Sequence, residues 1–174
     1  GGFPALPVVQ GVRFSTAAAG VKYAGRDDVM LAVCDPGTTI AGVFTRSSTR
    51  SANVLDCEFK LGPDRLGGAG KDGAAIFVNS GNANAFNGRA GDESVERIAA
   101  AVARATGTPA KRVFTSATGV IGERLPDERI TSVVADLAAN LDPNGIDGAA
   151  RAIMTTDTFA KGASTEVDID GQTV

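Results

Sequence analysis

Residues 74–88 read AAIFVNSGNANAFNG, and this stretch decides the fold. Its first five residues, Ala74 to Val78, form an apolar run that is typical of a buried strand. The next ten, Asn79 to Gly88, contain four asparagines. Apolar residues at helical spacing then predict a helix over Asp92–Thr106 that ends at Gly107. A buried strand, a polar loop and a helix in this order predict an α/β fold whose ligand site lies where the strand ends.

Short β-prone runs occupy the first half of the chain. Strands are predicted at Val12–Thr16, Val29–Cys34 and Thr39–Thr45, and Asp35-Pro36-Gly37 is interpreted as a hairpin turn between the last two. Ala52–Leu55 fits either a strand or the start of a short helix. Gly67–Gly73 is predicted to be a flexible loop.

The second half of the chain is more helical. Arg112–Thr115 predicts a strand, and helices are indicated after Pro126 and over Ile146–Met154. No internal repeat or linker divides the chain. The sequence therefore predicts a single α/β (α+β) domain over residues 1–174, in which helices are layered on a sheet.

The residue counts exclude several classes of function. A net charge of −3 argues against a nucleic-acid binder, which usually presents a basic face, and no apolar run is long enough to predict a membrane span. The chain has no histidine, so by itself it builds neither a Ser-His-Asp triad nor a His-ligated metal site, and we expect no metal. The two cysteines, Cys34 and Cys57, favour a reducing cytoplasm over a disulfide-stabilised secreted protein.

The polar stretch after the central strand is the first candidate site. Asn79, Asn82 and Asn84 offer amide donors and acceptors, and Gly81 lets the backbone approach a ligand closely. We expect these residues to shape a site, although asparagine and glycine also build ordinary tight turns.

Two further segments carry hydroxyl groups. Thr118 and Gly119 follow a predicted strand, where backbone N–H groups are able to stabilise a developing negative charge. A plain β-turn with Gly119 at positive φ is the simpler interpretation. Thr155 begins a run of hydroxyls and a carboxylate that fits either an amino-acid ligand or a capped turn after a helix.

The last residues are interpreted as a hairpin that does not finish. Thr165–Ile169 alternates like a strand, and Asp170-Gly171 is a typical hairpin turn. The returning strand has only three residues before Val174. Either the tail is trimmed or disordered, or the fold continues past Val174, and we expect this end of the domain to be incomplete.

Four segments, taken in order, resemble the ornithine acetyltransferase (glutamate N-acetyltransferase) family of bifunctional arginine-biosynthesis proteins. They are residues 41–45, 79–85, 118–122 and 152–157. The similarity runs from about Gly11 to the last residue. It implies the self-cleaving ornithine acetyltransferase fold, which is similar to that of N-terminal-nucleophile aminopeptidases. The chain would then be the α chain of a two-chain enzyme.

The resemblance also implies a mechanism. The precursor cuts itself before a threonine that is absent here, and this threonine begins the β chain as the nucleophile, with its own α-amine as the base. Backbone N–H groups near Thr118 and Gly119 would form the oxyanion hole, and Thr155 would contact the amino-acid substrate. The acetyl group would pass from N-acetylornithine to glutamate by a ping-pong route without metal or cofactor, and acetyl-CoA stays open as a second donor.

Two other functions stay open beside the transferase. An N-terminal-nucleophile aminopeptidase or amidase would share the cleavage but pass the acyl group to water. A noncatalytic small-molecule-binding domain would need no second chain. For the transferase, the resemblance implies α–β pairs in a larger symmetric complex such as a heterotetramer, located in the cytoplasm, with no nucleic-acid or membrane partner.

Overall fold

The computed structural model describes residues 2–63, 66–69 and 71–173. In chain order its strands are β1 Val12–Ala17, β2 Val29–Cys34, β3 Thr39–Ala41, β4 Leu66–Ala69, β5 Ala74–Asn82, β6 Val113–Val120, β7 Asp168–Ile169 and β8 Gln172–Thr173. Its helices are α1 Ala52–Leu61, α2 Arg89–Thr106, α3 Asp127–Ala139 and α4 Ile146–Ala152, with a short 3-10 turn at Ala110–Arg112.

Four strands form the central sheet in the order β1-β2-β5-β6. The pairs β1–β2 and β2–β5 are antiparallel, whereas β5 and β6 are parallel and are connected through α2. A parallel pair needs such a crossover because the chain has to return to the same end of the sheet. Strands β3 and β4 form a separate pair, as do β7 and β8. The predicted α/β class is confirmed.

The main core lies between one face of this sheet and helices α2 and α3. Leu31 and Phe77 project from β2 and β5, and they belong to one cluster with Ile98 and Val102 of α2 and Ile130 of α3. The helical spacing predicted from the sequence for α2 and α3 is therefore confirmed. Helix α2 ends where predicted, because Gly107 adopts a left-handed conformation that suits glycine and its N–H bonds the carbonyl of Ala103.

Among the described residues, two helices cover the opposite face of the sheet, one at each side. Helix α1 packs Cys57 and Leu61 near Phe114 of β6, and α4 lies over β1. Between the two helices Met30, Ile76 and Val78 are half-exposed. We call the surface formed by these three residues the open face.

Several local predictions are wrong for reasons of tertiary pairing. The third predicted strand ends at Ala41, and it pairs with β4 rather than β2 because β2 already has β1 and β5 as neighbours. Asp35-Pro36-Gly37 is thus not the turn of a hairpin. Residues 67–69 of the predicted flexible loop form part of β4, whereas Gly70 lies outside the described residues.

Strands take up part of both predicted site turns. Asn79 to Asn82 are the last four residues of β5, whereas 83–88 form a loop as predicted, and Thr118 and Gly119 lie inside β6. Their polar residues and glycines favour turns locally, but the parallel pairing of β5 with β6 continues through Asn82 and Val120 and overrides that preference. The ambiguous segment at 52–55 is helical, and the Ser51 hydroxyl caps it by accepting the N–H of Val54.

A buried carboxylate joins the start of α3 to α2. Asp127 accepts hydrogen bonds from the hydroxyl of Ser94 and, at 2.8 Å, from Nη2 of Arg97. Burial alone would raise the pKa of Asp127, but the bonds from Arg97 and Ser94 outweigh it and hold that pKa below its usual value.

Replacing this carboxylate should destabilise the fold in a pH-dependent way. A group whose pKa is depressed by folding stabilises the protein above its unfolded pKa of about 3.9, and this contribution is lost as the pH falls through the folded pKa. Asp127→Asn should therefore lower the free energy of unfolding by about 1–3 kcal/mol at neutral pH, with a difference from wild type that shrinks in acid. Denaturant unfolding measures this. Asp136→Asn, at an exposed position of the same helix, is the control, and a loss from Asp127→Asn that does not change with pH would contradict the assignment.

Candidate functional site

The pairing of β5 with β6 brings two of the predicted segments together. Ser80 faces Thr118 across the two strands, and Gly81 faces Gly119. Both glycines have positive φ, +99° and +133°. A Cβ atom on Gly119 would lie 2.4 Å from the carbonyl carbon of Gly81, so the two backbones are closer here than any side chain permits.

The hydrogen bonds of β6 show which of its backbone groups point towards β5 and which point away from it. The carbonyl of Val120 accepts the N–H of Ala83, which follows β5, at 2.8 Å. The carbonyls of Val113 and Thr115 point the other way, because they accept hydrogen bonds from Lys60 and Cys57 of α1.

Successive residues of a strand direct their backbone groups to opposite sides. The N–H of Thr118 therefore points towards β5, where it belongs to the sheet ladder, and the N–H of Gly119 points away from β5. Gly119 is exposed. Of the two backbone N–H donors expected from the sequence, only that of Gly119 therefore points away from the sheet ladder.

The Thr118 side chain projects from the same face of the sheet as the open face. Side chains alternate along a strand, and Phe114, four residues earlier, packs on that face beneath α1. Thr118 is half-buried and Ser116 is exposed. The Thr118 hydroxyl and the Gly119 N–H thus both lie at the end of β6.

The third predicted segment meets the other two at Ser80. The Ser80 hydroxyl donates to the carbonyl of Ala152, the last residue of α4, at 2.7 Å. Thr155 follows three residues later and is half-buried. Because Ser80 is also the partner of Thr118, one buried serine connects the end of β6 to the segment that carries Thr155.

The asparagines of the central stretch have structural roles. The Asn79 amide donates to the carbonyl of Asn82, and the Asn82 amide donates to the carbonyl of Glu123 at 3.0 Å. The Asn84 amide donates to the carbonyl of Gly91. At most 3% of the surface of Asn79, Asn82 and Asn84 is exposed, so these three side chains hold the backbone around the site.

The connection between β1 and β2, residues 18–28, is a part of the site that sequence reasoning missed. Arg26 donates to the carbonyl of Met154 at 2.6 Å. The fully buried Asp28 carboxylate accepts the N–H groups of Ala19 and Val21 at 2.7 and 2.6 Å and so fixes the loop. Asp28, the second of two consecutive aspartates before β2, gives no sequence signal of this role, because its partners are main-chain groups.

Comparison with known proteins identifies the family. Residues 13–174 match the family model described as the ArgJ family. The chain belongs to the ArgJ family. It is 61% identical over 172 residues to the arginine biosynthesis bifunctional protein ArgJ of Ruegeria pomeroyi, a match that covers 99% of this chain and 41% of that protein. The ArgJ protein of Nitrobacter winogradskyi is 48% identical, with 95% and 39% covered.

Solved structures of ArgJ proteins have the same fold. ArgJ of Bacillus halodurans superposes with a TM-score of 0.79 at 28% identity, covering 95% of this chain and 83% of that one. The ornithine acetyltransferase of Mycobacterium tuberculosis, solved with ornithine, gives 0.76 at 33% identity, covering 95% and 93%. The resemblance inferred from the sequence is confirmed. The chain spans about two fifths of the length of the curated ArgJ relatives.

An apolar cleft of about 350 Å³ lies beside this site in the ArgJ-family chain. It is bounded by residues 40–44, by α1 and by β6, and on β6 its lining ends at Ala117, one residue before Thr118. None of the residues predicted as site residues lines it. We place the candidate site at the end of β6 because the predicted site residues lie there and not in the cleft.

Neither cysteine is suited to act as a nucleophile. Burial raises the pKa of both the Cys34 and Cys57 thiols, and a thiol reacts as the thiolate. Among the described residues no group of three or more Cys, Asp and Glu side chains is placed to hold a metal ion. Within the same residues, no helix has the length and apolar character needed to cross a bilayer.

The glycine pair allows a test of the site's geometry. Gly119→Ala should lower both the melting temperature and any activity, because its Cβ would overlap the backbone of Gly81. Gly122→Ala is the matched control, since Gly122 also has positive φ but has open space around its Cβ position. Thermal unfolding of both variants measures the difference. Equal melting temperatures would show that the close approach of β5 and β6 does not matter.

Proposed function

We propose that this chain is the α part of an ornithine acetyltransferase, which moves the acetyl group of N-acetylornithine to glutamate. The observation that carries the proposal is the convergence at Ser80 of the Thr118–Gly119 donors and the Thr155 segment, in a chain of the ArgJ family. The chain supplies donors and substrate contacts but has no histidine to activate a nucleophile. A nucleophile from the remaining part of the protein would complete the site.

In the proposed mechanism that nucleophile is the threonine that begins the β chain. Its hydroxyl oxygen attacks the acetyl carbonyl of N-acetylornithine while its own α-amine takes the hydroxyl proton. The tetrahedral intermediate carries the negative charge on the former carbonyl oxygen. Collapse of this intermediate breaks the C–N bond, and the leaving amine of ornithine takes the proton from the α-amine.

The second half of the reaction returns the threonine. The amine of glutamate attacks the acetyl-threonine ester, and its proton passes through the α-amine to the departing threonine oxygen. N-acetylglutamate leaves and the free hydroxyl is restored. No metal or organic cofactor enters this sequence of steps, and acetyl-CoA would differ only as the first acetyl donor.

Both oxyanions are proposed to bind at the end of β6. The N–H of Gly119 points away from β5, and the side chain of Thr118 projects from the same side of the sheet as the open face. Two donors are therefore in place before substrate arrives. Preorganised donors of this kind stabilise the charge of the transition state without reorganising. Thr155 is proposed to contact the amino-acid part of the substrate.

The proposed partner is the β chain of the same precursor, placed against the open face. Met30, Ile76 and Val78 are half-exposed there, and the side chain of Thr118 lies on the same side of the sheet. A chain that covers these apolar side chains would lie next to Thr118. We further propose that the enzyme is cytoplasmic, because its two described cysteines are unpaired, as is usual in a reducing compartment. Its α and β chains are proposed to pair and to assemble as a heterotetramer.

The proposal is tested with protein expressed from the full reading frame. N-acetylornithine and glutamate are supplied without acetyl-CoA, and the chains are sized by intact mass. Two chains, the second beginning with threonine, together with N-acetylglutamate are the expected result. Two chains that only hydrolyse the substrate would indicate an aminopeptidase or amidase, and one uncut chain without turnover would indicate a binding domain.

The oxyanion donors are tested by an isosteric change. Thr118→Val removes the hydroxyl but keeps the β-branched shape and the backbone N–H that the sheet needs, so kcat should fall by about 10²–10³ with little change in melting temperature. Thr118→Ser keeps the hydroxyl and should retain most of the activity. Ser116→Ala, on the same face two residues earlier, is the control for the strand. Wild-type kcat in a folded Thr118→Val enzyme would remove Thr118 from the mechanism.

A further inference from the structure

Arg26 contacts the segment that carries Thr155, although the proposed mechanism assigns it no role. Its Nη2 atom donates to the carbonyl of Met154 at 2.6 Å and lies 3.4 Å from the carbonyls of Arg151 and Ala152. These carbonyls belong to the last turn of α4 and the residues after it. Carbonyls at the end of a helix lack intrahelical partners and stabilise a nearby positive charge.

The same guanidinium also reaches the central sheet. Arg26 Nη2 lies 3.4 Å from the hydroxyl oxygen of Ser80, whose own proton is donated to Ala152 at 2.7 Å. Ser80 is the partner of Thr118 in the β5–β6 ladder. Arg26 and Ser80 therefore join the end of α4 to the strand that holds the proposed oxyanion donors.

Neighbouring residues in the connection between β1 and β2 hold the Arg26 guanidinium in place. The ring of Tyr23 lies beneath it, with 4.6 Å from the guanidinium carbon to the ring centroid, and Nε donates to the carbonyl of Asp27. The loop beneath is fixed by the buried carboxylate of Asp28. Because the guanidinium is already oriented in this way, it loses little conformational freedom when it bonds the carbonyls at the end of α4.

We propose that Arg26 is a positioning residue for the amino-acid substrate. By holding the Met154 carbonyl, it fixes the location of Thr155 relative to Thr118 and Gly119. This inference rests on the proposed function, in which Thr155 contacts the substrate. Substrate affinity should then depend on Arg26, and the dependence should act through Thr155.

A double-mutant cycle tests this in the enzyme expressed from the full reading frame. Arg26→Met should raise the KM for N-acetylornithine about tenfold, because hydrogen bonds to a charged group are lost, and should change kcat by less than about threefold. In the Thr155→Ala background the same change should alter KM by less than about twofold, since the residue it positions is gone. Arg26→Lys should recover part of the affinity through its remaining charge.

A matched arginine serves as the control. Arg13→Met removes an exposed arginine that pairs with Asp35 near the opposite end of the sheet, and it should leave KM unchanged. If Arg26→Met melts below the assay temperature, Ser80→Ala takes its place in the cycle, because it removes the other bond to the end of α4. The same non-additivity with Thr155→Ala is expected.

The outcomes separate the two proposals. An active wild-type enzyme whose KM is unaffected by Arg26→Met and Ser80→Ala overturns the positioning role and leaves the transferase proposal in place. Additive effects of Arg26→Met and Thr155→Ala also overturn it, because Arg26 would then act on the substrate independently of Thr155. A wild-type enzyme that transfers no acetyl group overturns the proposed function, and the positioning role with it.

Discussion

The site depends on the close approach of two backbones at Gly81 and Gly119. With a side chain at Gly119 the strands would have to separate, since its Cβ would overlap the carbonyl carbon of Gly81. Separation would end the parallel ladder before Thr118 and leave the direction of the Gly119 N–H undefined. The buried asparagines support the same contact, because Asn82 joins the end of β5 to the carbonyl of Glu123, which lies just beyond β6.

A buried polar side chain that lacks a hydrogen-bond partner destabilises the fold, and the polar side chains at the end of β5 have partners. Ser80, Asn79 and Asn84 are essentially inaccessible to water, and each side chain has a main-chain partner. An unpaired buried amide or hydroxyl costs about 1–3 kcal/mol. The network therefore specifies one arrangement of three chain segments, because any other arrangement would leave several of these groups without partners.

The parts of this structure that follow a local rule are predictable from sequence. The apolar spacing in α2, the apolar run of β2 and the glycine after Thr106 each predict the local conformation that the structure has. The ends of β5 and β6 do not, since Asn, Ser, Thr and Gly favour turns and only the neighbouring strand keeps them extended. The resemblance to a family predicted site roles for Thr118, Gly119 and Thr155 from short motifs. Arg26 and Asp28 lie outside those motifs and bond main-chain atoms, those of Asp28 in its own loop and those of Arg26 in the distant segment after α4.

The two-residue alternation of β6 has a consequence for changes in chain length. Removing or adding one residue between Val113 and Thr118 would turn the Thr118 hydroxyl to the face of the sheet that packs against α2 and α3. The Gly119 N–H would then point at β5. Adding or removing two residues would restore both directions but displace them along the strand. The spacing between α2 and Thr118 is thus under a parity constraint, and indels of one residue there should be far less tolerated than substitutions at the same positions.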